Sequence, residues 1–124
     1  MTSSRAAQQV LAFHHKFSFP ATPLGPPRAP DDGLKALRAQ LLIEEATEYL
    51  EALSTDDVVG IADALGDMLY VIYGTALTYG IDLDAVVDEI HRSNMSKETS
   101  ATGKAKKGAD YSPPNLNQVL WPDA

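Results

Sequence analysis

At 124 residues with no cysteine, the chain is sized for one hydrophobic core and offers no disulfide, thiolate nucleophile or zinc–thiolate site. A net charge of −7 argues against broad, unaided binding to nucleic acid, so a polyanionic substrate has to meet a local basic patch or metal ions. Apolar residues make up 44% of the chain, no apolar stretch reaches the roughly 18 residues that span a bilayer, and the N-terminus lacks a signal peptide's apolar core; the expectation is a cytoplasmic protein with no membrane partner.

Ser3 or Ser4 is placed to cap a first helix ending near Phe17, with Val10, Phe13 and Phe17 at helical spacing toward a core and His14 and His15 beside that stripe. Residues 20–30 hold five of the eight prolines, which forbids a helix and predicts an extended surface linker. Asp31 or Asp32 then caps a second helix with Leu34, Leu37, Leu41 and Leu42 on its apolar face, running to about Leu53. Ser54-Thr55-Asp56-Asp57 reads as a turn with Thr55 as the next N-cap. The third helix, to about Tyr79, is apolar over much of its circumference. It is therefore expected to be a central helix, buried in the fold or by a subunit partner, with Gly80 as its terminator. Asp82 caps a fourth helix to about Ser96, with Leu83, Val86, Val87 and Ile90 as its stripe. Beyond Lys97 the chain turns polar. Leu116, Val119, Leu120 and Trp121 are available to anchor its end on the body or on a partner. The fold class is all-α, with four main helices and no strand.

The second helix carries four glutamates in eight residues, Glu44, Glu45, Glu48 and Glu51. The first three fall within a sector of roughly 100°. Close carboxylates repel unless something positive lies between them. Asp63 and Asp67 follow at i,i+4 on the most apolar helix, where an aspartate is costly unless paired or metal-bound. Two such helices face to face suit divalent cations with oxygen ligands. The bland alternative is a solvated acidic face, or salt bridges to the nearby Lys35 and Arg38. The end of the fourth helix carries His91, Arg92, Asn94 and Lys97, read either as compensation of the helix dipole or as a phosphate grip. Lys104-Ala105-Lys106-Lys107 reads as a solvated loop or as a lid over a polyphosphate.

Taken together, Glu44-Glu45-Ala46-Thr47-Glu48, Ala64-Leu65-Gly66-Asp67 and Asn94-Met95-Ser96-Lys97 resemble, in order, the three motifs of the all-α nucleoside triphosphate pyrophosphatases. These are the MazG-like proteins, dimeric dUTPases and phosphoribosyl-ATP pyrophosphohydrolase, and the chain looks most like the short single-domain MazG-like enzymes. The resemblance spans about residues 34–97, with a weaker echo in Lys107-Gly108-Ala109-Asp110-Tyr111-Ser112-Pro113-Pro114. One departure stands out: Ala64 occupies the place of the second motif's glutamate, with Asp63 as the nearest carboxylate.

The resemblance implies a four-helix MazG-like bundle over residues 1–97 and a polar tail over 98–124 that acts as lid or subunit-packing segment. It implies Mg²⁺-dependent hydrolysis of a nucleoside triphosphate to the monophosphate and pyrophosphate, with Mn²⁺ as substitute. Pool house-cleaning is the implied role, and dUTP or dCTP are candidate substrates. Glu44, Glu48 and Asp67 are the expected metal ligands, with Asp63 as an addition, and Glu45 is expected to orient or deprotonate the water. Asn94 and Lys97, helped by Arg92, are expected on phosphate oxygens, with Lys107 and Tyr111 reaching across from the tail. His14 and His15 are candidates for contact with the base. A homodimer or homotetramer is expected, since relatives assemble such bundles. The rival reading is a non-catalytic metal- and nucleotide-binding module, favoured by Ala64.

Overall fold

The computed structural model describes residues 3–124. Five helices follow in order: α1 (Arg5–Lys16), α2 (Asp32–Ser54), α3 (Val58–Tyr79), α4 (Leu83–Asn94) and α5 (Leu116–Leu120). Among the described residues the β-structure is a single antiparallel bridge between Glu98 and Lys106.

Each helix begins where a short polar side chain takes up an N–H that the helix leaves unpaired. Ser4 accepts from Ala7, Asp31 from Leu34, Asp57 from Gly60, Asp82 from Ala85 and Asn115 from Gln118. The cap of α3 is therefore Asp57 and not Thr55. Thr55 instead closes α2, its N–H donating to Ala52 and Leu53. Asp56 takes a left-handed conformation, φ 52°, that reverses the chain, and helical geometry restarts only beyond it. The fifth helix lies in the segment expected only to anchor the tail. Pro113-Pro114 followed by Asn115 is its start signal.

The chain divides into two compact units at Ile81–Asp82. In the first, α2 and α3 form an antiparallel hairpin whose close end is set by Gly60, where a Cβ would sit 3.1 Å from that of Ala52. α1 packs on α3 through Val10, 2% exposed, and brings Ser4 Oγ within 3.4 Å of the Tyr73 hydroxyl. The proline-rich linker is extended, as expected, and also serves the end of α3. Thr22 N–H donates to Leu77 O at 2.7 Å, Thr22 Oγ1 to Thr78 O at 3.1 Å and Arg28 N–H to Tyr79 O at 3.0 Å. These bonds satisfy carbonyls that a helix C-terminus leaves open. Gly80 ends α3 at φ 72°, and a Cβ there would also press on Thr22 and Pro23.

Within one chain α3 is not fully buried. Only Ala64, Gly74, Ala76 and Thr78 are buried on it, while Val58, Val59, Leu65 and Leu69 are exposed, as are Leu37, Ile43 and Leu50 of α2. By length and composition alone α3 is long and apolar enough to cross a membrane. A search for an unbroken apolar run misses this, because Asp63 and Asp67 interrupt it.

In the second unit Arg92 clamps the tail to α4. Its Nε and Nη2 donate to the two carboxylate oxygens of Glu89 at 2.7 and 2.9 Å, and Nη1 and Nη2 reach Ser112 Oγ and Pro113 O at 3.0 Å. Glu89 also accepts the Asn115 N–H, so the Arg92 fork and this bond hold its carboxyl down at about 2.

Candidate active site

Glu45 and Glu48 are three residues apart on α2, just under a full turn, and Asp67 faces them from α3 because the hairpin is antiparallel. Each offers an oxygen to a group in which all three lie within 4.8 Å of one another. One oxygen of Glu45, Oε2, is buried with no hydrogen-bond partner. The ion pairs among the described residues, Lys35–Asp32, Arg92–Glu89 and Lys106–Glu98, leave this group untouched. Burial pushes the Glu45 carboxyl up to about 7, a hydrogen bond shared with the Glu48 carboxyl adds to it, and the charges of Glu48, Asp67 and Asp63 push in the same direction. Three converging carboxylates, one with an orphaned buried oxygen, fit a hard divalent cation.

The other expected ligands stand apart. Glu44 is exposed and accepts from Gln40 Nε2 at 3.0 Å. Asp63 is exposed and lies outside the group of three, acting on Glu45 only through its charge. Ala64, in the glutamate's place, is 2% exposed.

A pH dependence follows. Glu45 ionises near 4.3 when unfolded and near 7 in the fold, so between these values the folded chain holds more of the proton. Raising the pH through this window destabilises the metal-free protein. In EDTA, the Tm advantage of Glu45→Gln over wild type should widen from pH 5 to pH 7.5. Parallel profiles for the two proteins would contradict this placement of Glu45.

Beside the carboxylates a cavity of about 440 Å³ opens between α1, α2 and α3, lined by residues that include Phe13, Phe19, Tyr70, His14, Arg38 and Glu45. Its size suits a small-molecule ligand. Phe13 stands edge-on to Tyr70 at 5.2 Å and to Phe19 at 5.6 Å. The expectation that Phe13 and Phe17 face a core is met only in part: they are 37% and 51% exposed. His14 is buried, with Nδ1 2.9 Å from Pro20 O. That carbonyl can only accept, so Nδ1 carries the proton. Burial holds the His14 pKa below its ordinary value, which keeps the ring neutral and Nε2 an acceptor. His15 is exposed.

Arg38 is the residue that sequence reasoning undervalues. It forms no salt bridge with a carboxylate among the described residues. Nε donates to Thr75 Oγ1 at 3.1 Å and Nη2 to Val71 O at 2.9 Å. The signal is present in the spacing: Arg38 and Glu45 are i,i+7, on one face of α2 and about 10 Å apart along its axis.

The remaining candidates belong to the second unit. Asn94 is exposed at the end of α4, and its carbonyl accepts the Lys97 N–H at 3.1 Å. Arg92 is engaged in the clamp described above. Lys107 Nζ lies 5.2 Å from the centre of the Tyr111 ring, a cation–π contact.

The family described as phosphoribosyl-ATP pyrophosphohydrolase matches residues 10–94, more than half of the chain and all of α2 and α3. An uncharacterized protein of Acanthamoeba polyphaga mimivirus is similar, 35% identical over 79 residues. That match takes in 62% of this chain and 32% of the viral protein, so the chain spans about a third of the relative's length.

Proposed function

Because the chain belongs to the phosphoribosyl-ATP pyrophosphohydrolase family, we propose that it hydrolyses a nucleoside triphosphate to the monophosphate and pyrophosphate with Mg²⁺. The observation that carries this is the convergence of Glu45, Glu48 and Asp67, with an unpartnered buried oxygen, at a cavity walled by aromatic rings. When bound, a divalent cation supplies neutralisation of phosphate oxygens and a water of lowered pKa.

The chain's own residues do the rest. Glu48 and Asp67 are assigned to the cation, and Glu44 and Asp63, outside the group of three in the metal-free fold, are assigned as further ligands once metal and substrate are bound. Glu45, on the same helical turn as Glu48, is assigned to orient the attacking water and take its proton. Asn94 and Lys97 are assigned to phosphate oxygens by their chemistry as a neutral donor and a point charge. Arg92, Lys107 and Tyr111 keep subsidiary parts there, and His14 and His15 are assigned to the base side. The exposed apolar residues of α2 and α3 support assembly of two or more copies. House-cleaning of the nucleotide pool is the role we assign.

A binding module without turnover is the competing reading, favoured by buried Ala64 where a glutamate is usual and by Asp63 outside the group of three. Pyrophosphate release from a panel of NTPs and dNTPs with Mg²⁺, Mn²⁺ or EDTA separates the two. Metal-dependent release is expected. Thermal stabilisation by metal plus nucleotide with no release from any of them would establish the binding module instead.

A further inference from the structure

Arg38 is a cation drawn into the protein without an anion. Its guanidinium carries five N–H donors and no acceptor. Two are taken by Thr75 and Val71, and the side chain lines the cavity. Burial depresses its pKa, yet guanidinium stays charged in proteins. His14 reaches the same place: a Cβ on Gly74 would lie 2.8 Å from His14 Nε2 and against Arg38 Nη2 as well. The two side chains meet over a glycine that leaves them room. About 10 Å along α2 from the carboxylates, the cavity is therefore lined by a guanidinium with unused donors, beside the single acceptor of neutral His14.

We infer that Arg38 is a specificity-determining residue, which selects bases bearing a keto oxygen on the edge remote from the sugar. This rests on the reading of the cavity as the nucleotide site. With the phosphates at Glu45, Glu48 and Asp67, the sugar-remote edge of the base is the part that extends toward Arg38. A keto oxygen there accepts from the free guanidinium N–H groups. An amino group in the same position sets donor against donor at Arg38 and leaves the half-buried guanidinium without an acceptor there. The aromatic rings of Phe13, Phe19 and Tyr70 contact any base and do not discriminate, so the choice falls to the polar groups.

The test uses matched pairs that differ at this edge, dUTP against dCTP and dITP against dATP, in wild type, Arg38→Gln and Arg38→Met. Release of pyrophosphate gives kcat/KM, and thermal shift with the corresponding monophosphates gives binding without turnover. The wild type is expected to favour the keto member of each pair by about tenfold or more in both readouts. Both variants should bring the ratios toward one, mainly by losing the keto substrates. Equal treatment of keto and amino members by an active wild type overturns the inference and leaves the proposed function standing. Selective binding of keto monophosphates without pyrophosphate release has the opposite meaning. Should the variants fail to fold, the wild-type ratios alone decide.

Discussion

Replacing Glu48 with alanine is expected to lower kcat/KM for pyrophosphate release by about three orders of magnitude, the scale of losing several kcal/mol of transition-state charge stabilisation. The residue is exposed, so truncation opens no cavity in the core. It also removes a negative charge next to two others. The metal-free fold should therefore be unchanged or slightly more stable, with Glu45 titrating lower, since Glu48 is a main contributor to its raised pKa after burial. The signature is a split: activity and the rise in Tm with Mg²⁺ both vanish, while the Tm in EDTA holds. Glu48→Gln, equal in size but uncharged, should behave alike. Substantial activity in either variant would remove Glu48 from the metal site.

The second large effect is expected at Gly74. In the middle of a helix, glycine to alanine ordinarily stabilises by up to about 1 kcal/mol. Here the added methyl meets Arg38 Nη2 and His14 Nε2, and His14 is buried. Arg38 Nη2 has to shift away from the methyl, at the expense of its bond to Val71 O, a charge-assisted bond of about 1.5–3 kcal/mol, and the buried His14 ring has little room to follow. The loss exceeds the propensity gain, so Gly74→Ala should destabilise by roughly 1–3 kcal/mol in denaturant unfolding. Gly66, on the same helix, is the control. A Cβ there meets nothing within 4 Å, and Gly66→Ala should stabilise by up to about 1 kcal/mol. Equal, favourable shifts for both would mean that Arg38 and His14 do not meet over Gly74.

Several features are legible in the amino-acid sequence by itself because they are local. A capping side chain needs only an N–H three residues on, so the starts of α1, α2 and α4 are written in the chain, as is the glycine that ends α3. The same holds for the acidic motif on α2, since the helical period fixes the angles among its own residues. Thr55 reads as the cap of α3, wrongly, because a left-handed Asp56 delays the helix, and nothing in the residue types announces that conformation.

What only the tertiary structure decided is how one element stands against another. The register of the α2–α3 hairpin, set by the turn at Asp56 and the close approach at Gly60, brings Asp67 to Glu45 and Glu48 and leaves Glu44 and Asp63 outside. The same register lays Arg38 against Val71 and Thr75, making it a lining residue of the cavity and not a salt-bridge partner. Arg92 reads as a helper at the phosphates from its charge, and only the fold shows that the returning tail also makes it the clamp on Glu89, Ser112 and Pro113. In each case the period within a helix is available from the sequence. The offset between helices depends on side chains distant in the chain packing at once, and that sum is made only in the fold.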